Sequence, residues 1–146
     1  MDAFDADVII YAAVPGHPDG RRILALFPSD TDPKSSLAGI GSVLLLPEIL
    51  TKALRDQANA EIAALAALLG RLDLRPLDKA TAELAVALGS DYRLKAADAV
   101  HLATAVGAGA DRFLTNNHRA FPRTITEIAI TYPVELPEPL DESLSG

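Results

Sequence analysis

The sequence predicts an α/β sandwich with a mostly parallel sheet, on the basis of three observations. Segments with the composition of strands and of helices alternate through most of the chain. The first segment carries the near-continuous apolar run Val8–Tyr11, which is typical of a buried central strand in a parallel sheet. Glycines and prolines separate the segments. Parallel strands joined through helices imply right-handed crossover connections.

The predicted strands are short apolar segments that end at turn residues. The opening strand spans Phe4–Tyr11 and ends before Pro15 and Gly16, where a turn is expected. Four later segments have the length and the flanking residues of short strands. These strands are expected at Gly41–Leu46, Leu72–Arg75, Asp111–Thr115 and Glu127–Tyr132.

The predicted helices are marked by residues suited to their ends. Asp19 is suited to cap a short helix through Phe27, and Asp78 is suited to cap a later one. Pro47 suits the first turn of a helix that continues through Leu54. Glycines end the remaining helical patterns. The expected ranges are Ala58–Leu69 before Gly70, Lys79–Leu88 before Gly89, and Lys95–Ala108.

Two polar stretches lie between and after these elements. Ser29–Ser36 contains Pro33 and is expected to be a loop. After residue 132, prolines alternate with acidic residues, which indicates a tail. We therefore expect one domain over residues 1–132 and an acidic, proline-rich tail over residues 133–146.

The composition excludes several kinds of protein. The 146 residues, of which 49% are hydrophobic, suit one folded domain. The absence of cysteine excludes a disulfide framework, a thiolate zinc site and a cysteine nucleophile. Acidic residues near the N-terminus and short apolar runs argue against a signal peptide and a membrane span. We therefore expect a soluble, cytoplasmic protein.

The net charge of −7 argues against broad electrostatic binding of nucleic acid. Four of the 20 acidic residues lie in the tail, which has no lysine or arginine. The rest of the chain then carries 16 acidic and 13 basic residues, so its charge is closer to neutral. Any nucleic acid would therefore be held locally, by a few groups, and not by a general basic surface.

Three acidic residues occupy positions that helix and strand propensities do not favour. Asp5 begins the apolar opening strand, Glu48 follows the second strand, and Asp98 lies in the middle of a Leu- and Ala-rich helix. Each has an ordinary structural explanation: a cap on a neighbouring helix, compensation of a helix dipole, or a hydrogen bond to a loop. Together, however, they predict carboxylates near the edge of an α/β sheet where ligands bind.

Converging carboxylates repel one another and stay ionised only when a positive charge lies between them. Oxygen ligands of this kind suit Mg²⁺ or Mn²⁺ and not Zn²⁺. Such an ion takes phosphate oxygens as further ligands and activates water for attack on phosphorus. The residues alone therefore point to phosphate ester chemistry.

Four segments of the chain, over residues 1–132, resemble PIN-domain ribonucleases, most closely the VapC-type toxins of bacterial toxin–antitoxin pairs. The third segment, an Ala-Asp-Ala-x-His-Leu-Ala-Thr-Ala helix, is the most specific of the four. Their order and spacing also suit the family. The segments read FDADVIIYAA, LLPEIL, LKAADAVHLATAV and DRFLTNNHRAF.

The resemblance implies a PIN-like three-layer α/β/α sandwich and a Mg²⁺- or Mn²⁺-dependent endoribonuclease that hydrolyses RNA. It makes Asp5, Glu48 and Asp98 the catalytic, metal-binding carboxylates. It makes Thr115 and Asn116 residues that line the site, and Arg119 is a candidate phosphate contact. It further implies a homodimer, a small cognate antitoxin and a role as the toxin of a type II pair.

The chain departs from the family pattern at Asn117, where a fourth acid is usual. Asparagine keeps an oxygen ligand but lacks the charge, so a weaker metal ligand is expected there. Asp7, on the same strand face as Asp5, is a hypothetical replacement for the missing charge. His101 is interpreted as a structural, hydrogen-bonding residue of the helix.

Two alternatives stay open at this point. The first is a non-catalytic or weakly active PIN fold that works through protein or RNA binding, as the loss of the acid at Asn117 would suggest. The second is a metal-dependent phosphatase or deoxyribonuclease on the same scaffold, because phosphodiester chemistry does not identify the sugar.

Overall fold

The structure is a computed structural model of the chain, and it describes residues 1–28 and 37–140. Within these residues, five strands form one sheet in which every neighbouring pair is parallel. The strands are β1 (Asp2–Phe4), β2 (Gly39–Ser42), β3 (Leu72–Arg75), β4 (Arg112–Leu114) and β5 (Ala129–Thr131). Their order across the sheet is β3-β2-β1-β4-β5, so that β1 lies in the centre.

Helices cover both faces of this sheet. Ala3 of β1 and Phe113 of β4 are buried in one hydrophobic cluster, whereas the next residues, Phe4 and Leu114, are buried in another. Because adjacent strand residues point to opposite faces, the two clusters are separate layers of core. The predicted three-layer α/β/α sandwich is confirmed. The helices are α1 (Ala6–Ala12), α2 (Pro18–Leu24), α3 (Leu45–Arg55), α4 (Asn59–Leu69), α5 (Lys79–Tyr92) and α6 (Ala96–Gly107).

The predicted opening strand over Phe4–Tyr11 is wrong. The strand ends at Phe4, and Asp5 caps α1 by accepting a hydrogen bond from the amide of Ala6 at 2.8 Å. A continuous apolar run has the same appearance in a buried helix as in a buried strand, which explains the error. Asp7 therefore lies in the first turn of α1, and its predicted position on a strand face beside Asp5 is also wrong.

Two helix ends differ from the prediction as well. α2 is capped by His17, whose Nδ1 accepts a hydrogen bond from the amide of Gly20 at 3.0 Å, and not by Asp19. α5 continues through Gly89 to Tyr92. A Cβ at residue 89 would lie 3.3 Å from the Cβ of Ala99, so this glycine allows α5 and α6 to approach closely.

Most other elements lie where they are predicted. Pro47 is in the first turn of α3, Gly70 caps the C-terminus of α4, and Asp78 caps α5 through the amide of Thr81. The strand predicted at Gly41–Leu46 is shifted, because β2 ends at Ser42 and α3 begins at Leu45. The loop predicted at Ser29–Ser36 lies outside the described residues.

The C-terminal segment packs on α2 as far as it is described. Pro133–Glu135 forms a short 3-10 helix, and Leu136 is buried. The guanidinium of Arg22 donates to the carbonyl oxygens of Val134 at 2.7 Å and Leu136 at 3.0 Å. The division into a domain and a tail at residue 133 stays a prediction. In the parts of the chain from 1 to 28 and from 37 to 140, no helix is long and apolar enough to span a membrane.

Candidate active site

The register of β1 and β4 brings the first two site residues together. Phe4 pairs with Leu114, so the residues that follow, Asp5 and Thr115, are neighbours at the carboxyl ends of the two central strands. The amide of Asp5 donates to the carbonyl of Leu114 at 2.9 Å, and the Thr115 hydroxyl donates to Asp5 Oδ2 at 2.8 Å. Asp5 is only 5% exposed, so its carboxylate is held in one orientation.

Asp7 lies beside this pair. Its Oδ2 accepts a hydrogen bond from the amide of Asn116 at 3.0 Å, whereas its Oδ1 is buried without a hydrogen-bond partner. Burial, reinforced by the charge of Asp5, raises the pKa of Asp7 to about 7. Burying a carboxylate oxygen without a hydrogen-bond partner costs free energy, and a ligand that binds this oxygen would offset that cost.

The second group of site residues lies on α3 and α6. Glu48, in the first turn of α3, contacts His101 of α6, with Oε2 and Nε2 separated by 3.0 Å. His101 is 2% exposed, and its Nδ1 has no hydrogen-bond partner. The predicted hydrogen-bonding role of His101 therefore takes a definite form: it orients Glu48.

Asp98 interacts electrostatically with residues of both groups. Burial raises its pKa, the charge of Glu48 raises it further, and the charges of His101 and Lys95 oppose the rise. Burial likewise raises the pKa of Asp5, with a further contribution from the charge of Asp98. The charge of Asp98 thus affects the pKa of Asp5, and the charge of Glu48 affects that of Asp98, so the three carboxylates that were predicted to act together influence one another electrostatically.

Asn117 has a structural role of its own. Its Oδ1 accepts a hydrogen bond from the amide of Ala120 at 3.1 Å, and its amide donates to the Thr115 hydroxyl at 3.1 Å. The side-chain oxygen is thus already used to hold a turn. Asn116 contributes its backbone amide to Asp7, and Arg119 is exposed at the rim.

The oxygen donors of these residues are of the kind that a divalent cation such as Mg²⁺ binds. The described residues contain no group of three or more His, Asp or Glu side chains that could hold a metal ion. The carboxylates belong to separate elements, and Asp7 has one buried oxygen without a hydrogen-bond partner. Mg²⁺ usually retains several of its waters and binds through one or two carboxylates, so an open arrangement suits it better than a closed cage would.

The raised pKa of Asp7 predicts a pH-dependent stability. Its folded value of about 7 exceeds the unfolded value near 3.8, so the folded state binds the proton more tightly. Without divalent ions, the free energy of unfolding should therefore fall as the pH rises between these values, by on the order of 4 kcal/mol for this residue. Urea unfolding in EDTA across that range measures the slope.

Asp7→Asn should flatten this slope because the amide does not titrate. The exposed Asp91 provides the control, and Asp91→Asn should leave the slope unchanged. A slope as steep in Asp7→Asn as in the original protein would contradict the prediction. Part of the slope should persist in any case, because the pKa values of Asp5 and Asp98 are also raised.

Comparison with known proteins identifies the fold independently. The PIN domain family profile matches residues 3–125. A toxin–antitoxin complex from Klebsiella pneumoniae contains a chain of similar structure, with a TM-score of 0.69 and 24% identity over 91% of this chain and 98% of that one. The structure of VapBC2 from Rickettsia felis, bound to a DNA fragment from its promoter, also contains a similar chain. Its TM-score is 0.66 and its identity is 16%, over 90% of this chain and 97% of that one. No curated protein matches the sequence. The chain therefore belongs to the PIN domain family.

Proposed function

We propose that this protein is a divalent-metal-dependent endoribonuclease that hydrolyses RNA phosphodiester bonds, and that it is the toxin of a type II toxin–antitoxin pair. One observation supports the proposal above the others: in a PIN-family fold, Asp5, Glu48 and Asp98 each lie at the N-terminal end of a different helix, α1, α3 and α6. Burial raises the pKa of Asp5 and of Asp98, and a bound cation would offset the cost of keeping these two carboxylates ionised.

The proposed ligands of a Mg²⁺ or Mn²⁺ ion are Asp5 and Asp98, with Glu48 as a third acid and Asn117 as a weaker ligand. When bound, such an ion supplies charge stabilisation for the scissile phosphate and lowers the pKa of a water. Asp7 adds a fourth carboxylate, and its unpaired Oδ1 makes it the better candidate for the charge that Asn117 lacks.

The surrounding residues have positioning roles in this proposal. The Thr115 hydroxyl fixes one oxygen of Asp5, which leaves that carboxylate little freedom to turn away from the site. His101 holds Glu48 in the same way from the buried side of α6. Asn116 and Arg119 are proposed to meet the substrate, the first beside Asp7 and the second at the rim.

The partners belong to the proposal too. Both solved neighbours are toxin–antitoxin complexes, which supports a small cognate antitoxin for this chain. Large apolar side chains on α2 and α3 are exposed, including Leu24 at 47% and Leu54 at 59%, and contact with an antitoxin or a second copy would cover them. We also propose that the protein is a homodimer in the cytoplasm.

Cleavage of a structured RNA with single-stranded loops tests the proposed function. We expect cleavage in Mg²⁺ or Mn²⁺ and none in EDTA, because without a cation nothing stabilises the charge that develops on the scissile phosphate or lowers the pKa of a water. The same sequence as DNA and a simple phosphomonoester serve as comparison substrates. Faster cleavage of either would favour the deoxyribonuclease or phosphatase alternative, and no cleavage with any divalent ion would favour the non-catalytic one.

A further inference from the structure

A cleft of about 550 Å³ opens directly beside Asp98. One wall is formed by the end of α5 and the turn into α6, with Tyr92, Arg93 and Lys95. The opposite wall is formed by the segment after β4, with Asn117 and Arg119. Asp98 thus belongs to both the carboxylate site and the cleft, so a ligand bound across the carboxylates would continue into this space.

The cleft is the place where unpaired cations gather. Arg93, Lys95 and Arg119 are exposed, and within residues 1–28 and 37–140 none of them forms an ion pair. Other arginines are paired, such as Arg22 with Glu138 and Arg112 with Asp2. In a chain with net charge −7, three exposed cations around one opening are a local exception to the general charge, although the charge of Lys95 also acts on Asp98.

Both walls are held by backbone geometry. Arg93 ends α5 with a φ of 56°, a left-handed conformation that is uncommon outside glycine and costs about 1 kcal/mol. The other wall turns at Asn117, whose side chain accepts from the Ala120 amide while its carbonyl accepts from the Phe121 amide at 2.9 Å. The cationic side chains therefore extend from defined turns.

We propose that this cleft binds the phosphodiester backbone of the nucleic acid strand adjoining the bond to be cut, with Arg93, Lys95 and Arg119 as its phosphate contacts. This inference rests on the proposed function and extends it from the reacting phosphate to its neighbours. Tyr92 is the one aromatic residue among those that line the cleft, and a base could stack against its ring. In a chain of net charge −7, a cleft with three cations around it is a favoured path for a polyanion.

Binding of a labelled single-stranded RNA of about 12 nucleotides, measured in EDTA by fluorescence anisotropy, tests the cleft without cleavage. Arg93→Ala, Lys95→Ala and Arg119→Ala should each weaken binding about 3- to 10-fold and reduce the slope against salt by about 0.7 per lost contact. The matched control is Arg55→Ala, an exposed arginine at the end of α3 and outside the cleft. It should bind as the original protein does.

Several outcomes would overturn the inference. These are no measurable binding at low salt, an unchanged affinity in the double variant Arg93→Ala/Lys95→Ala, or an equal loss in Arg55→Ala. A DNA strand of the same sequence should also bind, since the shared chemistry is the phosphodiester backbone. Poly-glutamate should compete poorly, and competition equal to that of DNA would instead indicate a site for acidic peptides.

Because the measurement needs no catalysis, the cleft and the proposed function can fail separately. If the protein binds the strand through these residues but cleaves nothing with any divalent ion, the proposed binding role of the cleft stands and the proposed nuclease activity is refuted. If the protein cleaves RNA and the cleft variants bind it with unchanged affinity, the nuclease activity stands and the binding role of the cleft is refuted. Thermal unfolding of each variant checks that the fold is intact.

Discussion

Asp98→Asn is expected to lower metal-dependent RNA cleavage by about 10²–10³-fold, a loss typical of removing one charge-stabilising group from an active site. The amide keeps the size of the carboxylate and one oxygen, but it lacks the charge that attracts a cation. Asp98 is the better test of the site than Asp5, because Asp5 also caps α1 and accepts the Thr115 hydroxyl. Initial rates at saturating Mg²⁺ measure the effect.

The stability of the same variant separates a functional from a structural carboxylate. The pKa of Asp98 is raised, mainly by burial, so its charge disfavours the folded state without a cation. Asp98→Asn should therefore unfold at the same or a higher urea concentration than the original protein in EDTA. Asp91→Asn, on the exposed face of α5, should change neither the rate nor the stability. Full activity in Asp98→Asn would remove this residue from the proposed site.

Gly20→Ala is expected to destabilise the fold by about 3 kcal/mol, at the upper end of the usual cost of overpacking. A Cβ on this residue of α2 would lie 2.0 Å from the carbonyl oxygen of Tyr11, near the end of α1. A backbone oxygen has no rotamer by which to move aside, so the two helices would have to separate. Urea unfolding at neutral pH measures the change.

The control for this substitution is a glycine with room around it. At Gly107, the last residue of α6, an added Cβ would meet only Leu84 Cδ2, at an ordinary 3.7 Å. Gly107→Ala should therefore be neutral or stabilising, by about 0.5 kcal/mol, because alanine loses less backbone entropy in a helix. Equal stability of Gly20→Ala and Gly107→Ala would show that α1 and α2 are not closely packed.

The sequence was sufficient for most of the elements and their order, but it did not predict α1. Val8 and Ile9 are buried in α1 as they would be in a central strand, so hydrophobicity alone could not distinguish the two. The capping rule was the available signal, because an Asp before an apolar run with buried residues at helical spacing marks the start of a helix. The same reasoning shows why His17 was missed, since histidine is not among the usual caps.

The acidic residues of the candidate site could be predicted from the sequence, whereas the residues that contact them could not. Asp5, Glu48 and Asp98 could be identified because each is an acidic residue in an apolar segment where helix or strand propensity does not favour it. The contact between Glu48 and His101 joins residues that lie 53 positions apart in the chain, and no local pattern encodes it. Arg93 and Lys95, at the start of the helix predicted over Lys95–Ala108, look like solvated charges in the sequence, and only the fold brings them to the same cleft as Arg119.

The pairing of β1 with β4 has a consequence for synthesis of the chain. Asp5 leaves the ribosome early, but the Leu114 carbonyl and the Thr115 hydroxyl that orient it come 109 and 110 residues later. The central strand therefore lacks one neighbour, and the carboxylate cluster lacks its geometry, until translation has passed β4. A nascent chain released before that point would carry the acids of the cluster without their arrangement, so premature termination yields an inert product.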